Sequence, residues 1–247
     1  MSNIGELLTF PFETVEARKN FLLGCLLTLA GLFVPVLPHL VVYGYIARMV
    51  RKIAEGESPS MPAWDNLNDL FIDGLRLWGV KLVISLPLIV TLLAGMGSYT
   101  IGIIFIIIQD DPNLTGVFLP ILLLIFGATL CIAFPLGIAS VIIAYPAAIH
   151  AVARQNFSAG FKFREWGSIL RVNFGGFLLA TLLTYAISLI YSIVLQILMW
   201  TVILICLLPL LVPLVGFYMM LMPEVLAAQA YREGQLKLAN PLTTSEA

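Results

Sequence analysis

Two histidines, one glutamate and a row of small residues are the places where this sequence could do chemistry. His39 and His150 are the only histidines. Imidazole titrates near neutrality and binds metals, so the pair suggests a proton relay or a metal site. They stand about 110 residues apart with no acid beside either one, which makes a poor ligand set. Hydrogen bonding near the ends of apolar runs is the expected role. Glu224 follows Pro223 at the end of an apolar run. An acid in an apolar setting is a functional suspect, and this one is expected at a membrane boundary. Lys81 is expected to snorkel to the interface. Gly176, Ala180, Thr184, Ser188 and Ser192 recur at every fourth position. That spacing lets helix backbones approach closely, with hydroxyls bonding across. The stripe reads either as packing or dimerisation, or as a substrate path, with Tyr185, Tyr191 and Gln196 nearby.

Other chemistries lack their residues. The acids Asp65, Asp69 and Asp73 do not have the spacing of a calcium loop. No phosphate-binding glycine loop, HExxH or GxSxG motif is present. Cys25, Cys131 and Cys206 are scattered through apolar runs, giving neither a disulfide framework nor a metal spacing. No enzyme activity, cofactor, metal or nucleic-acid partner is expected.

The elements that must position these residues are membrane helices. The 247 residues are 60% hydrophobic and 11% charged, with a mean hydropathy of +1.01. Soluble domains carry about 25% charged residues. The apolar runs far exceed the ~20 residues needed to cross a bilayer, and their continuity excludes alternating barrel strands. The fold class is therefore all-α, a polytopic helical membrane protein of about five or six membrane segments arranged as hairpins. All thirteen Lys and Arg fall in four clusters, around residues 18–19, 48–81, 154–171 and 232–237. Basic residues gather on the cytoplasmic side of short loops. The clusters and the C-terminus are thus expected in the cytoplasm, and the chain in the cell membrane.

Residues 1–19 form an N-terminal interfacial segment interrupted by Pro11, 20–231 the transmembrane domain, and 232–247 a polar tail. No cleavable leader is expected, because Glu6, Glu13 and Glu16 break up the first residues. The first apolar run, 20–47, contains Pro35 and Pro38 and has basic residues at both ends. It is either one kinked span or a short re-entrant hairpin, and the charge rule favours the hairpin. Leu67, Leu70, Phe71, Leu75 and Trp78 make a helical stripe after Asp65, a plausible N-cap. They predict an interfacial amphipathic helix over about 62–78 that turns into the membrane near Gly74 or Gly79. A second such helix is predicted over 158–171. Trp64, Trp78 and Trp166 are the expected headgroup anchors. Spans are expected over 82–108 and 117–149 around the acidic turn 109–113, and over 174–200 and 201–222. Pro38 before Arg48, Pro146 before Arg154 and Pro223 before Arg232 suggest an internal repeat.

A family resemblance rests on an ordered series of motifs. These are Phe10-Pro11-Phe12-Glu13, Pro38, Tyr43-Gly44-Tyr45, Gly56-Glu57, Met61-Pro62, Trp64-Asp65 and Leu70-Phe71-Ile72-Asp73-Gly74-Leu75. Together they resemble the prokaryotic membrane family known as domain of unknown function 4013. The likeness covers roughly residues 5–80 by motif and the remainder by hydropathy, with His39 standing where an apolar residue is expected. It implies a multi-pass membrane protein and no activity. The expected role is a scaffold or accessory subunit that contacts lipid and a membrane-protein partner or its own copies. The alternative is a channel or facilitator for a small solute.

Overall fold

The computed structural model describes residues 4–200 and 208–240, all helix or connecting turn. The helices are α1 (Ile4–Glu13), α2 (Val15–Ala30), α3 (Leu37–Glu55), α4 (Leu67–Gln109), α5 (Pro112–Ala153), α6 (Phe163–Val172), α7 (Phe174–Trp200) and α8 (Leu208–Ala239). A 3-10 turn, Phe157–Phe161, precedes α6. Four of them, α4, α5, α7 and α8, are long and apolar enough to cross a membrane. The helical membrane class thus holds with four such helices, where five or six segments were expected. Residues 1–3, 201–207 and 241–247 lie outside the described residues, and with them the start of the expected span 201–222.

Two compact units divide the chain, residues 82–144 in one and the remainder in the other. The smaller unit is an antiparallel hairpin of the far half of α4 and the near half of α5. Small residues make the contact: Gly95 sits against the Thr129 side chain and Gly102 against Leu122. Tyr99–Phe126 and Phe105–Phe118 rings fill in at 5.1 and 5.9 Å. The turn passes through Asp110 at φ +47°. Asp111 then starts α5 by accepting the Asn113 N–H at 2.8 Å.

In the larger unit α8 is the central element, packed on by α1, α2, α3, α6 and α7. Its Phe217, Leu221, Met222, Val225 and Ala228 are fully buried, together with Tyr45, Ile46 and Met49 of α3. Phe217 meets α2 directly, its ring lying where a side chain at Gly24 would be. The α1–α8 contact is tied by the Tyr218 hydroxyl, which donates to the Leu8 carbonyl at 3.1 Å.

Several expectations change. The stretch 62–78 is no separate helix: α4 runs unbroken for 43 residues through Gly74 and Gly79. Both glycines lie inside a continuous hydrogen-bonded ladder, and Gly74 serves a helix crossing instead of a bend. Asp65 is not its N-cap either. Asn66, at φ +52°, precedes the helix, and its carbonyl accepts from Asp69 N–H; Asp65 is drawn away by Arg48. The stretch 158–171 divides at Lys162 into the 3-10 turn and α6. The presumed tail begins late, because α8 continues through Ala239. Tyr231 is buried and Gly234 seats against Ile169, so that end of the helix has packing partners. Pro11 lies inside the last turn of α1, and Thr14 starts α2 by accepting the Ala17 N–H.

Candidate functional site

The polar side chains of the larger unit meet in a set of clamps at the helix crossings. The tightest crossing joins α3 to α4. A Cβ on Gly44 would overlap the Leu70 carbonyl, and one on Gly74 the Leu40 carbonyl, so the two backbones touch. This closeness requires glycine at both positions. One residue away, Asp73 accepts from Arg51 at 2.6 Å and from Arg76 at 2.5 Å. Arg51 Nε also donates to the Val152 carbonyl of α5 at 3.3 Å. A single buried carboxylate therefore gathers three helices.

The loop between α3 and α4 is held by aromatic and amide groups. Gly56, at φ +111°, caps α3 in the left-handed conformation that glycine tolerates. Tyr45 and Trp64 stack with centroids 3.8 Å apart and planes 5° from parallel. The Tyr45 hydroxyl donates to the Pro62 carbonyl at 2.8 Å. Trp64 Nε1 donates to the Asn20 carbonyl at 2.9 Å, and Asn20 Nδ2 returns a bond to Met61 at 3.3 Å. Arg48 pairs with Asp65 and donates to the Ala63 carbonyl. Those Arg48 hydrogen bonds and its charge hold the Asp65 carboxyl below the usual carboxylate range. Trp64 thus spends its indole N–H on the chain itself, as does buried Trp166, which donates to the Gly160 carbonyl at 2.9 Å. Trp78 is half-buried on α4.

His150 is 2% exposed. Its Nε2 lies 3.0 Å from Glu165 Oε2 and its Nδ1 2.6 Å from the Tyr231 hydroxyl. A carboxylate only accepts, so the proton belongs on Nε2 and Nδ1 accepts from the tyrosine. The imidazole bond, then Lys162 at 3.1 Å, hold the Glu165 carboxyl below its ordinary range. Arg154, Asn156 and Gln235 line an open groove of about 750 Å³ beside this triad. Next to it Asn173 donates to the Ala230 carbonyl and accepts from Lys237, both at 2.7 Å. A second groove, about 550 Å³, is lined by Glu6, Leu7, Phe10, Glu13, Ile53, Glu57 and Arg232 among others.

The third cluster lies among the candidate spans. Glu224 of α8 is 3% exposed and forms an ion pair with Lys81 of α4. The Lys81 ammonium also sits 4.0 Å from the centroid of the Tyr145 ring on α5. Lys81 therefore does not snorkel freely, since its counter-charge holds it. Tyr43 of α3 lies within electrostatic reach of Glu224, as does Tyr145.

The predicted residues do not converge on one centre. His39 packs on Gly31 at the α2–α3 turn, whereas His150 belongs to the α5–α6–α8 clamp and Glu224 to the Lys81 pair. The stripe on α7 is half internal. Ala180 is buried, Gly176 abuts the Asn173 side chain, and Ser192 is exposed. The hydroxyls of Thr184, Ser188 and Ser192 donate to Ala180, Thr184 and Leu189 carbonyls of their own helix at 2.8–2.9 Å. Among the described residues no group of three or more His, Cys, Asp or Glu is placed to hold a metal. Sequence reading missed Asp73, Glu165, Tyr231 and the Lys81 partnership. One signal pointed to that partnership: Lys81 directly precedes the apolar run 82–108, and Glu224 follows the run 201–222 by two residues.

The model of the family described as "Protein of unknown function (DUF4013)" matches residues 27–200, more than half of the chain. The chain belongs to this family. The match begins after Phe10-Pro11-Phe12-Glu13 and extends far past residue 80, so family likeness reaches through α7. No curated protein and no solved structure matches the chain.

Proposed function

We propose that this member of the family is a non-enzymatic integral membrane protein serving as a scaffold or accessory subunit of a membrane complex. One observation carries the reading. The side chains that could do chemistry are spent joining helices: His150 between α6 and α8, Asp73 between α3, α4 and, through Arg51, α5, and Glu224 between α8 and α4. Ionisable groups engaged in this way build a fixed shape. The outer half of α7 meanwhile turns Leu182, Leu189, Ile190, Ile193 and Ile197 outward, an apolar surface suited to lipid or to another membrane helix. A facilitator needs polar groups free to meet a solute, and the α7 hydroxyls bond to their own helix carbonyls instead.

The finer topology follows from the same proposal. α2 and α3, 16 and 19 residues long, make a hairpin with legs of roughly 24 and 28 Å at 1.5 Å per residue. Its tip exposes Leu32, Phe33, Val34, Val36 and Leu37, side chains that favour hydrocarbon over water. The hairpin enters the bilayer and returns, which with the four long helices brings the membrane segments to six. This places Arg18 and Lys19 on the same side as Arg48, Arg51 and Lys52, the cytoplasmic side by the charge rule. In a cysteine-free background, Phe33→Cys should resist a membrane-impermeant maleimide applied from either side, and labelling from outside would overturn the hairpin.

The role itself is tested by mild-detergent purification of the tagged chain from its native membrane. A stoichiometric protein partner is the expected result. Recovery of the chain alone, together with solute flux in liposomes above the empty-vesicle rate, would overturn the scaffold reading in favour of a facilitator.

A further inference from the structure

We infer that Glu224 and Tyr145 form a binding site for a primary ammonium group, which Lys81 fills from within the chain. Glu224 Oε2 is the one buried side-chain polar atom without a hydrogen-bond partner among the described residues. Buried polar atoms in folded proteins are normally satisfied, so the orphaned oxygen leaves this carboxylate with acceptor capacity that Lys81 does not use. Its twin, Oε1, holds the Lys81 ammonium, which also lies over the face of Tyr145. A carboxylate beside an aromatic face is the arrangement that selects a cation, through charge and ring quadrupole together.

Lys81 itself demonstrates that a primary ammonium fits. Its side chain is 19% exposed, so the four-carbon stem can withdraw towards the surface without α4 unwinding. Two ammonium groups on one buried carboxylate would leave an uncompensated charge. An incoming ligand therefore exchanges with Lys81, one cation for one. The ligand is a compact primary amine, either free in solution or the headgroup of an ethanolamine lipid. Binding would release the α4–α8 tie.

The test uses the full chain in phosphatidylcholine nanodiscs, reading the thermal midpoint against ethylammonium chloride and, at equal ionic strength, tetramethylammonium chloride. In Lys81→Met the site lacks its internal occupant, so the ethylammonium response should saturate at a concentration at least tenfold lower than in wild type. It should vanish in the Lys81→Met, Glu224→Gln double variant. Nanodiscs of phosphatidylethanolamine without added amine separate the sources. Protection of Lys81→Met there, and not of the double variant, identifies the headgroup; protection by ethylammonium alone identifies a free amine. Should Lys81→Met fail to fold, Lys81→Gln, whose amide can still donate to Glu224, takes its place in every arm. A single variant that responds no more than the double variant, or equally to both ammonium salts, overturns the inference.

Discussion

Adding one methyl group at Gly44 should be among the most damaging small changes in this protein. The Cβ of Gly44→Ala would overlap the Leu70 carbonyl, and α3 and α4 must separate by more than an ångström before the contact becomes tolerable. The obstacle is backbone on a helix already fixed at Asp73, so rotamer changes cannot relieve it. Overpacking of a close contact costs about 1–3 kcal/mol, and the upper end applies where the backbone itself must move. For a chain of this size each kcal/mol lowers the melting midpoint by roughly 2–4 °C, giving a fall of roughly 6–12 °C. Alanine is also the better helix former, so local propensity works against the predicted direction. Gly97→Ala is the control: it lies on α4 with nothing within 4 Å of the added atom and should be neutral or slightly stabilising. Thermal unfolding of the purified variants in one detergent measures both. A Gly44→Ala midpoint equal to that of Gly97→Ala would refute the backbone crossing.

Three further changes probe the clamps. Asp73→Asn leaves two partly buried guanidiniums without their shared charge, and should destabilise by about 2–4 kcal/mol, seen as a matching loss of midpoint; an unchanged midpoint would mean that the clamp is ornamental. Tyr45→Phe removes the hydroxyl bond to Pro62 while keeping the ring stack. It should cost about 1 kcal/mol and speed proteolysis within residues 57–66, measured by timed digestion. The third concerns pH. Asp65 and Glu165 are held below the usual carboxylate range in the folded chain, so their contribution is present above the unfolded values of about 4 and disappears as pH falls through the lower folded values. The wild-type midpoint should therefore fall more steeply on acidification below about pH 4 than that of an Asp65→Asn, Glu165→Gln variant, and parallel curves would argue against both pairings.

The membrane class was legible because hydropathy is a property of contiguous residues, and 82–108 or 174–200 need no partner to declare themselves. The family motifs were legible too, and the structure supplies their physics: Gly44 and Gly74 let backbones touch, Asp73 gathers arginines, and Trp64 closes a loop over Tyr45. Pairings across long separations were not legible. Glu165 meets His150 only because the 3-10 turn at 157–161 folds α6 back, and no periodicity reports that turn. The stripe on α7 fixed a face of the helix without saying where its hydroxyls would bond. Helix ends were not legible for a similar reason: α4 starts at Leu67, where its first turns are buried in the protein at Leu70 and Asp73.

The Lys81–Glu224 pair also sets a schedule for synthesis. Arg51 emerges before Asp73, so the carboxylate finds its first cation already made. Lys81 has no such help: its counter-charge lies 143 residues later, an interval of roughly 7–30 s at ordinary elongation rates. Until residue 224 has been made, the Lys81 ammonium lacks the carboxylate that it pairs with in the folded chain. A chain released before residue 224 keeps that defect permanently. The pair therefore forms only once α8 has been made, and an acid 143 residues downstream decides when the Lys81 charge is neutralised.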